Sequence, residues 1–151
     1  MAARTAALVG ALVAAGAQHV ALPNLYPKQL SPSAQFYAST PQRLANLAKA
    51  IDDANAAIRA AVVAQHGSKV TVIDVNGFMA ALWAQHARFG ITHVGAEFCD
   101  GYSQADWDLC VTQGRGGTFY WMQYLDMTSY VHSWVAEYMY LAINQAVLGH
   151  Y

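Results

Sequence analysis

The segment that most constrains the fold is Lys69–Val75, KVTVIDV, a β-branched run closed by Asn76-Gly77. Before it runs a helical pattern in which Leu44, Leu47, Ile51, Ala54, Ile58 and Val62 recur at spacings of three and four. Lys49, Asp52, Asp53 and Arg59 fall largely outside that stripe. Thr40-Pro41 supplies the start, an N-cap residue followed by proline at the first helical position, and His66-Gly67 the stop. Further upstream, His19–Leu22 is again apolar and β-prone, and Pro23 ends it. Strand, long helix, strand is a crossover, and crossovers of that length join parallel strands. The chain is therefore expected to be α/β, with helices covering a small parallel sheet. Only two strands can be read, and a parallel pair is small for a free-standing sheet. The expectation is that the chain borrows strands or lacks some.

The remaining segments fit around that unit. Residues 23–42 carry all four prolines and three serines, and read as an irregular surface loop. A shorter helix follows the second strand, with Phe78, Met79, Leu82, Trp83 and Phe89 on its apolar side and Gly90 as its stop. Residues 91–117 are expected to be mostly loop. A last helix is expected over Ser129–Leu148, with Val131, Trp134, Val135, Tyr138 and Leu141 on one side and Gly149 at its end. There is no internal repeat, low-complexity linker or charge block, so residues 1–151 read as a single domain. Arg4 followed by TAALVGALVAAGA has two readings. One is a signal peptide with Ala15-Gly16-Ala17 as its cleavage site; the other is an alanine-rich helix leading into the first strand. At this length the apolar run is too short to span a bilayer, which takes ~20 residues.

Composition excludes some function classes. Charged residues make up 11 % of the chain, against ~25 % in ordinary soluble domains. Either part of the surface is covered by something else, or the chain belongs to a larger unit. The eight Lys and Arg residues are scattered and the formal net charge is −1, so nucleic-acid binding has no electrostatic support. His19, His86, His93 and His150 show no ligand spacing, and neither a metal nor a cofactor is expected. Cys99 and Cys110 close the polar stretch CDGYSQADWDLC. An even count without a CxxC pair favours a short disulfide loop and an extracellular setting; the alternative is two buried thiols in a cytosolic protein.

The order of these elements, with GAQHVALPNLYP after the first helix, resembles the C-terminal half of the fungal-type GDSL (SGNH) esterase and lipase family. The strongest part of the likeness is Cys99–Ala136. The family's closing block reads approximately W-Y-D-x-L-H-P-T-x-x-V-H, and here Trp121–His132 reads WMQYLDMTSYVH, so Trp121, Leu125, Thr128, Val131 and His132 fit without a gap. The likeness covers roughly residues 12–148, which favours the helix reading of the N-terminus. It implies a partial three-layer, flavodoxin-like unit. It also implies acyl or acetyl ester hydrolysis by a serine nucleophile, with an Asp and a His from the closing block.

The chain departs from that pattern where chemistry is concerned. Gln123 stands at the Asp position and Asp126 at the His position. Gln123 cannot supply the charge that stabilises an imidazolium. Asp126 puts a carboxylate where the base stands, and a carboxylate is a poor base for a hydroxyl near neutral pH. No GDS nucleophile block occurs, and no GxSxG turn replaces it. A rearranged Asp126–His132 pair is one rescue, with Ser129 and Ser133 nearby, although helix capping accounts for those serines more simply. Asp74 reads as the cap of the turn VNGF, and Asn55 as a buried hydrogen-bonding residue facing a loop. The aromatic block around Trp121 and Tyr124 offers either a lipid- or carbohydrate-binding surface or core packing. The expected functions are two. One is an ester hydrolase scaffold, catalytically incomplete as this chain stands and completed by an N-terminal half. The other is a non-catalytic binding or self-associating module.

Overall fold

The computed structural model describes residues 1–38, 40–95, 97–99, 105, 108, 110, 115–122 and 125–148. In chain order these form helix α1 (Ala2–Ala14), strand β1 (Val20–Pro23), helix α2 (Pro32–Ala38), helix α3 (Pro41–His66), strand β2 (Val70–Ile73), helix α4 (Val75–Ala84) and helix α5 (Ser129–Leu148). Short 3-10 turns at Lys28–Leu30, Gly67–Lys69, His86–Phe89 and Arg115–Thr118 join or extend them.

The local chemistry explains the boundaries. Thr40 Oγ1 accepts the Arg43 N–H at 3.3 Å and Pro41 opens the first turn of α3. Gly67 ends α3 with φ of 55°, a conformation that suits glycine. Asp74 caps α4 by accepting the Gly77 N–H at 3.0 Å. The expected turn chemistry at VNGF is thus the one that forms.

β1 and β2 pair in parallel, Val20 opposite Val70 through Pro23 opposite Ile73. Side chains alternate across this small sheet. On one face Val70, with Val20, Leu22 and Val72, packs against Ala6 and Val9 of α1 and Ile58 and Val62 of α3. On the other, Ile73 and Ala21 pack with Met79 and Leu82 of α4, Val131 and Val135 of α5, and Ile91, Tyr120 and Trp121. Helices therefore cover both faces. That cover is what lets a two-stranded sheet, which sequence reasoning judged too small, sit between two apolar layers.

The hydrogen-bond directions are fixed by one contact, the Asn24 N–H donating to the Ile73 carbonyl at 3.0 Å. In a parallel ladder, alternate residues of a strand point their backbone groups at the same neighbour. Thr71 and Ile73 therefore face β1, while Val70 and Val72 face outward. On β1, Ala21 and Pro23 face outward. The missing N–H of Pro23 leaves no gap in the ladder.

Some boundaries differ from expectation. Residues 23–42 are not a loop throughout: Ser31 Oγ accepts the Ala34 N–H at 3.2 Å and starts α2 at Pro32. This is the same Ser/Thr-Pro signal that starts α3. The helix after β2 begins earlier, at Val75, and yields to a 3-10 turn after Gln85 rather than running to Phe89. Leu141, expected on the buried side of α5, is exposed. The N-terminal helix is packed, with Ala6 and Val9 buried against α3 and His66 Nε2 on the Ala6 carbonyl at 2.9 Å.

Candidate functional site

Open parallel sheets present their ligand crevices beyond the carboxyl ends of the strands. At that end β1 runs into Asn24-Leu25-Tyr26 and β2 into Asp74-Val75-Asn76. Asn24 Nδ2 donates to Asp74 Oδ1 at 2.8 Å, and Asn24 Oδ1 accepts the Asn76 N–H at 2.8 Å. Asn55, buried on α3, takes the Leu25 N–H on Oδ1 at 2.8 Å and returns Nδ2 to the Leu25 carbonyl at 3.0 Å. Asn76 Nδ2 reaches the same carbonyl at 3.1 Å. The side-chain amides of Asn24 and Asn55 each use both donor and acceptor internally, as the sequence expectation for Asn55 anticipated. They hold the strand ends together and leave little for a ligand.

The closing block reaches the same end. Trp121 and Met127 form an antiparallel bridge, and the Met122 N–H donates to the Asp126 carbonyl at 2.7 Å. Asp126 is exposed, and its carboxylate acts on Tyr26, the residue that follows the Asn24-Leu25 turn. Burial first and Asp126 second hold the Tyr26 hydroxyl above the ordinary phenolic range. Tyr138 of α5 is likewise raised, by burial and then by Asp74, with Arg59 opposing.

Gln123 and Tyr124 lie outside the described residues. Trp121 is fully buried, in contact distance of Trp83 and Tyr120, so its ring belongs to the core and not to a binding surface. Tyr120 is also fully buried and donates its hydroxyl to the Met79 carbonyl at 3.0 Å. Cys99 and Cys110 are joined by a disulfide, and the Cys99 N–H donates to the Trp121 carbonyl at 2.9 Å. The disulfide therefore ties Cys110, through Cys99, to the Trp121 segment.

His132 is exposed on the first turn of α5, and neither a hydrogen bond nor an ion pair links it to Asp126. The rearranged pair is not assembled in this conformation. Thr128, not Ser129, caps α5: its Oγ1 accepts the Val131 N–H at 3.3 Å and donates to the Phe119 carbonyl at 2.9 Å. Ser133 Oγ is spent on the Tyr130 carbonyl at 2.7 Å. An imidazole–hydroxyl contact that sequence reasoning missed joins His19 Nε2 to Thr71 Oγ1 at 2.8 Å. It lies toward the amino end of the sheet, remote from Asp126, and only the strand register brings the two residues together. Among the described residues no group of three or more His, Cys, Asp or Glu is placed to hold a metal ion. No helix among them is long and apolar enough to cross a membrane.

No protein-family model matches the chain, and no curated protein matches it.

Proposed function

We propose that the chain is a GDSL/SGNH-type ester hydrolase scaffold, of the acyl or acetyl ester class, that is catalytically incomplete as it stands. The observation that carries this reading is the carboxylate of Asp126 acting on Tyr26, which follows the Asn24–Asp74 link at the carboxyl end of the sheet. An α/β ester hydrolase works at that end of its sheet, and this supports the reading. The carboxylates of Asp126 and Asp74 have no histidine bonded to them among the described residues, and the neighbouring amides are occupied. Ester hydrolysis needs a hydroxyl, a base in hydrogen-bond reach and oxyanion donors. The disulfide fits an oxidising compartment, and secretion is part of the proposal.

The purified chain is expected not to turn over short-chain p-nitrophenyl esters. A robust rate that a serine-reactive phosphonate abolishes would overturn the proposal. Gln123→Asp with Asp126→His is expected to leave the chain inactive, because the dyad without a nucleophile has nothing to activate. A second reading, a self-associating module, draws on the exposed Leu8 and Leu12 of α1 and Tyr140, Leu141 and Val147 of α5. Light scattering separates the two: a monomer at all concentrations removes the second.

A further inference from the structure

The outer edge of β2 is unusually suited to pairing with itself. Its sequence, Val-Thr-Val-Ile, is uncharged, free of proline and strongly β-prone. Val72 points its N–H and C=O away from β1, and Val70 its C=O, as the ladder directions require; the Val70 N–H is spent on the Gly67 carbonyl of the preceding turn. Two such edges brought together antiparallel about a two-fold axis would set Val70 opposite Val72 of the second copy, and the reverse, each Val72 N–H donating to the Val70 carbonyl across the axis. The edge is thus self-complementary, the condition for an isologous contact. Unprotected edges of this kind are templates for association, and proteins blunt them with charge.

Arg59 stands at that edge. It projects from α3, on one face of the sheet, and its Nη2 donates to the Val72 carbonyl at 3.2 Å. Its charge is also felt by the hydroxyl of Tyr138, which belongs to α5 on the opposite face and stacks on Phe78 with centroids 4.4 Å apart. A side chain of one layer and a side chain of the other can be neighbours only around the margin of the sheet. Arg59 therefore wraps that margin, occupying one of the two outward carbonyls and leaving a positive charge beside it.

We infer that Arg59 guards the outer edge of β2 against pairing with the same edge of a second copy of this chain. It acts in two ways. Bonded to the Val72 carbonyl, its guanidinium fills the space beside Val72 that a second strand would enter, and in a two-fold pair it would bring two guanidinium groups close together. The other edge of the sheet needs no such guard at its end, because Pro23 offers no N–H there.

The test is size-exclusion chromatography with light scattering across a concentration series, paired with amide hydrogen exchange at Val72. Arg59→Gln is expected to raise the apparent mass with concentration to twice the wild-type value or more, and to protect the Val72 amide. Arg59→Lys, which keeps charge and a donor, is expected to behave as wild type. Adding Val72→Pro to Arg59→Gln removes the outward N–H without touching the β1 ladder, and is expected to restore the wild-type mass. The inference is overturned if Arg59→Gln keeps the wild-type mass and an unprotected Val72 amide at every concentration. It is equally overturned if the association survives Val72→Pro. Should the wild type itself associate through another surface, the Val72 amide still decides, since only edge pairing protects it.

Discussion

Gly77 has no room for a side chain, because a Cβ there would collide with the Asp74 carboxylate that caps α4. Gly77→Ala is expected to swing that carboxylate out, removing the cap and its bond from Asn24. The cap is worth ~1 kcal/mol and a hydrogen bond ~1 kcal/mol, so urea unfolding should register a loss of about 2 kcal/mol. The cap itself was readable, since an Asp before VNG has few better uses. The need for glycine three residues later was not, because it follows from which way the Asp74 oxygens point. Asn55 was readable for a similar reason: an amide in an apolar stripe must find partners. Trp121 and Tyr124 were the least readable. An aromatic next to polar residues has the same signature whether it faces a ligand or the core, and Trp121 faces the core. Tyr120 gives a pH test. Burial pushes its hydroxyl far above the ordinary phenolic value of about 10. Its folded pKa is raised, so its contribution is fully present below pH ~10 and is lost as pH rises beyond that, when the unfolded chain ionises first. The Tm of the wild type should fall above pH ~10, and Tyr120→Phe should flatten much of that fall.

Among the elements, α2 and α3 make an instructive pair. Both open on a hydroxyl residue followed by proline, yet only Thr40-Pro41 stood out, because a long apolar stripe followed it. Ser31-Pro32 sat among other prolines and had one helical turn of pattern to declare itself. The N-terminal helix was ambiguous for a different reason. An alanine-rich apolar segment has the same signature in a leader and in a packed helix; here it packs on α3. Val9 carries much of that docking. Val9→Ala removes two methyl groups from a buried site and should lower stability by about 2 kcal/mol in denaturant titration. The disulfide belongs to this scale as well, since it joins Cys110 to Cys99, which is bonded to the Trp121 carbonyl, across a sequence separation of 11. Reducing it, or replacing both cysteines by serine, is expected to cost about 2–3 kcal/mol for a loop of this size. Thermal unfolding with and without reductant checks it.

At the scale of the whole molecule, two apolar layers share one thin sheet. The crossover that creates this arrangement was readable from two β-branched runs and the long stripe between them. The state of the sheet edges was not, because the direction of each carbonyl depends on pairing register and register is a tertiary fact. The described tryptophans Trp83, Trp121 and Trp134 all lie in the layer with α4 and α5, whereas Val62 lies in the other. If the sheet couples the layers into one cooperative unit, Val62→Ala should shift the tryptophan fluorescence transition as far as the far-ultraviolet dichroism transition. Separate shifts would mean that the layers melt independently. One further consequence follows from Asn55. The half-buried Ala48, Ala54 and Ala61 leave the inward side of α3 smooth between its larger apolar residues, so that it would slide or roll against its neighbours at little cost. A slip of one residue rotates a helix by ~100°. It would carry the Asn55 amide clear of Leu25 and abandon two hydrogen bonds together. The bracket around Leu25 is thus an indexing pin: it selects one seating of α3 out of several that apolar packing alone would barely distinguish.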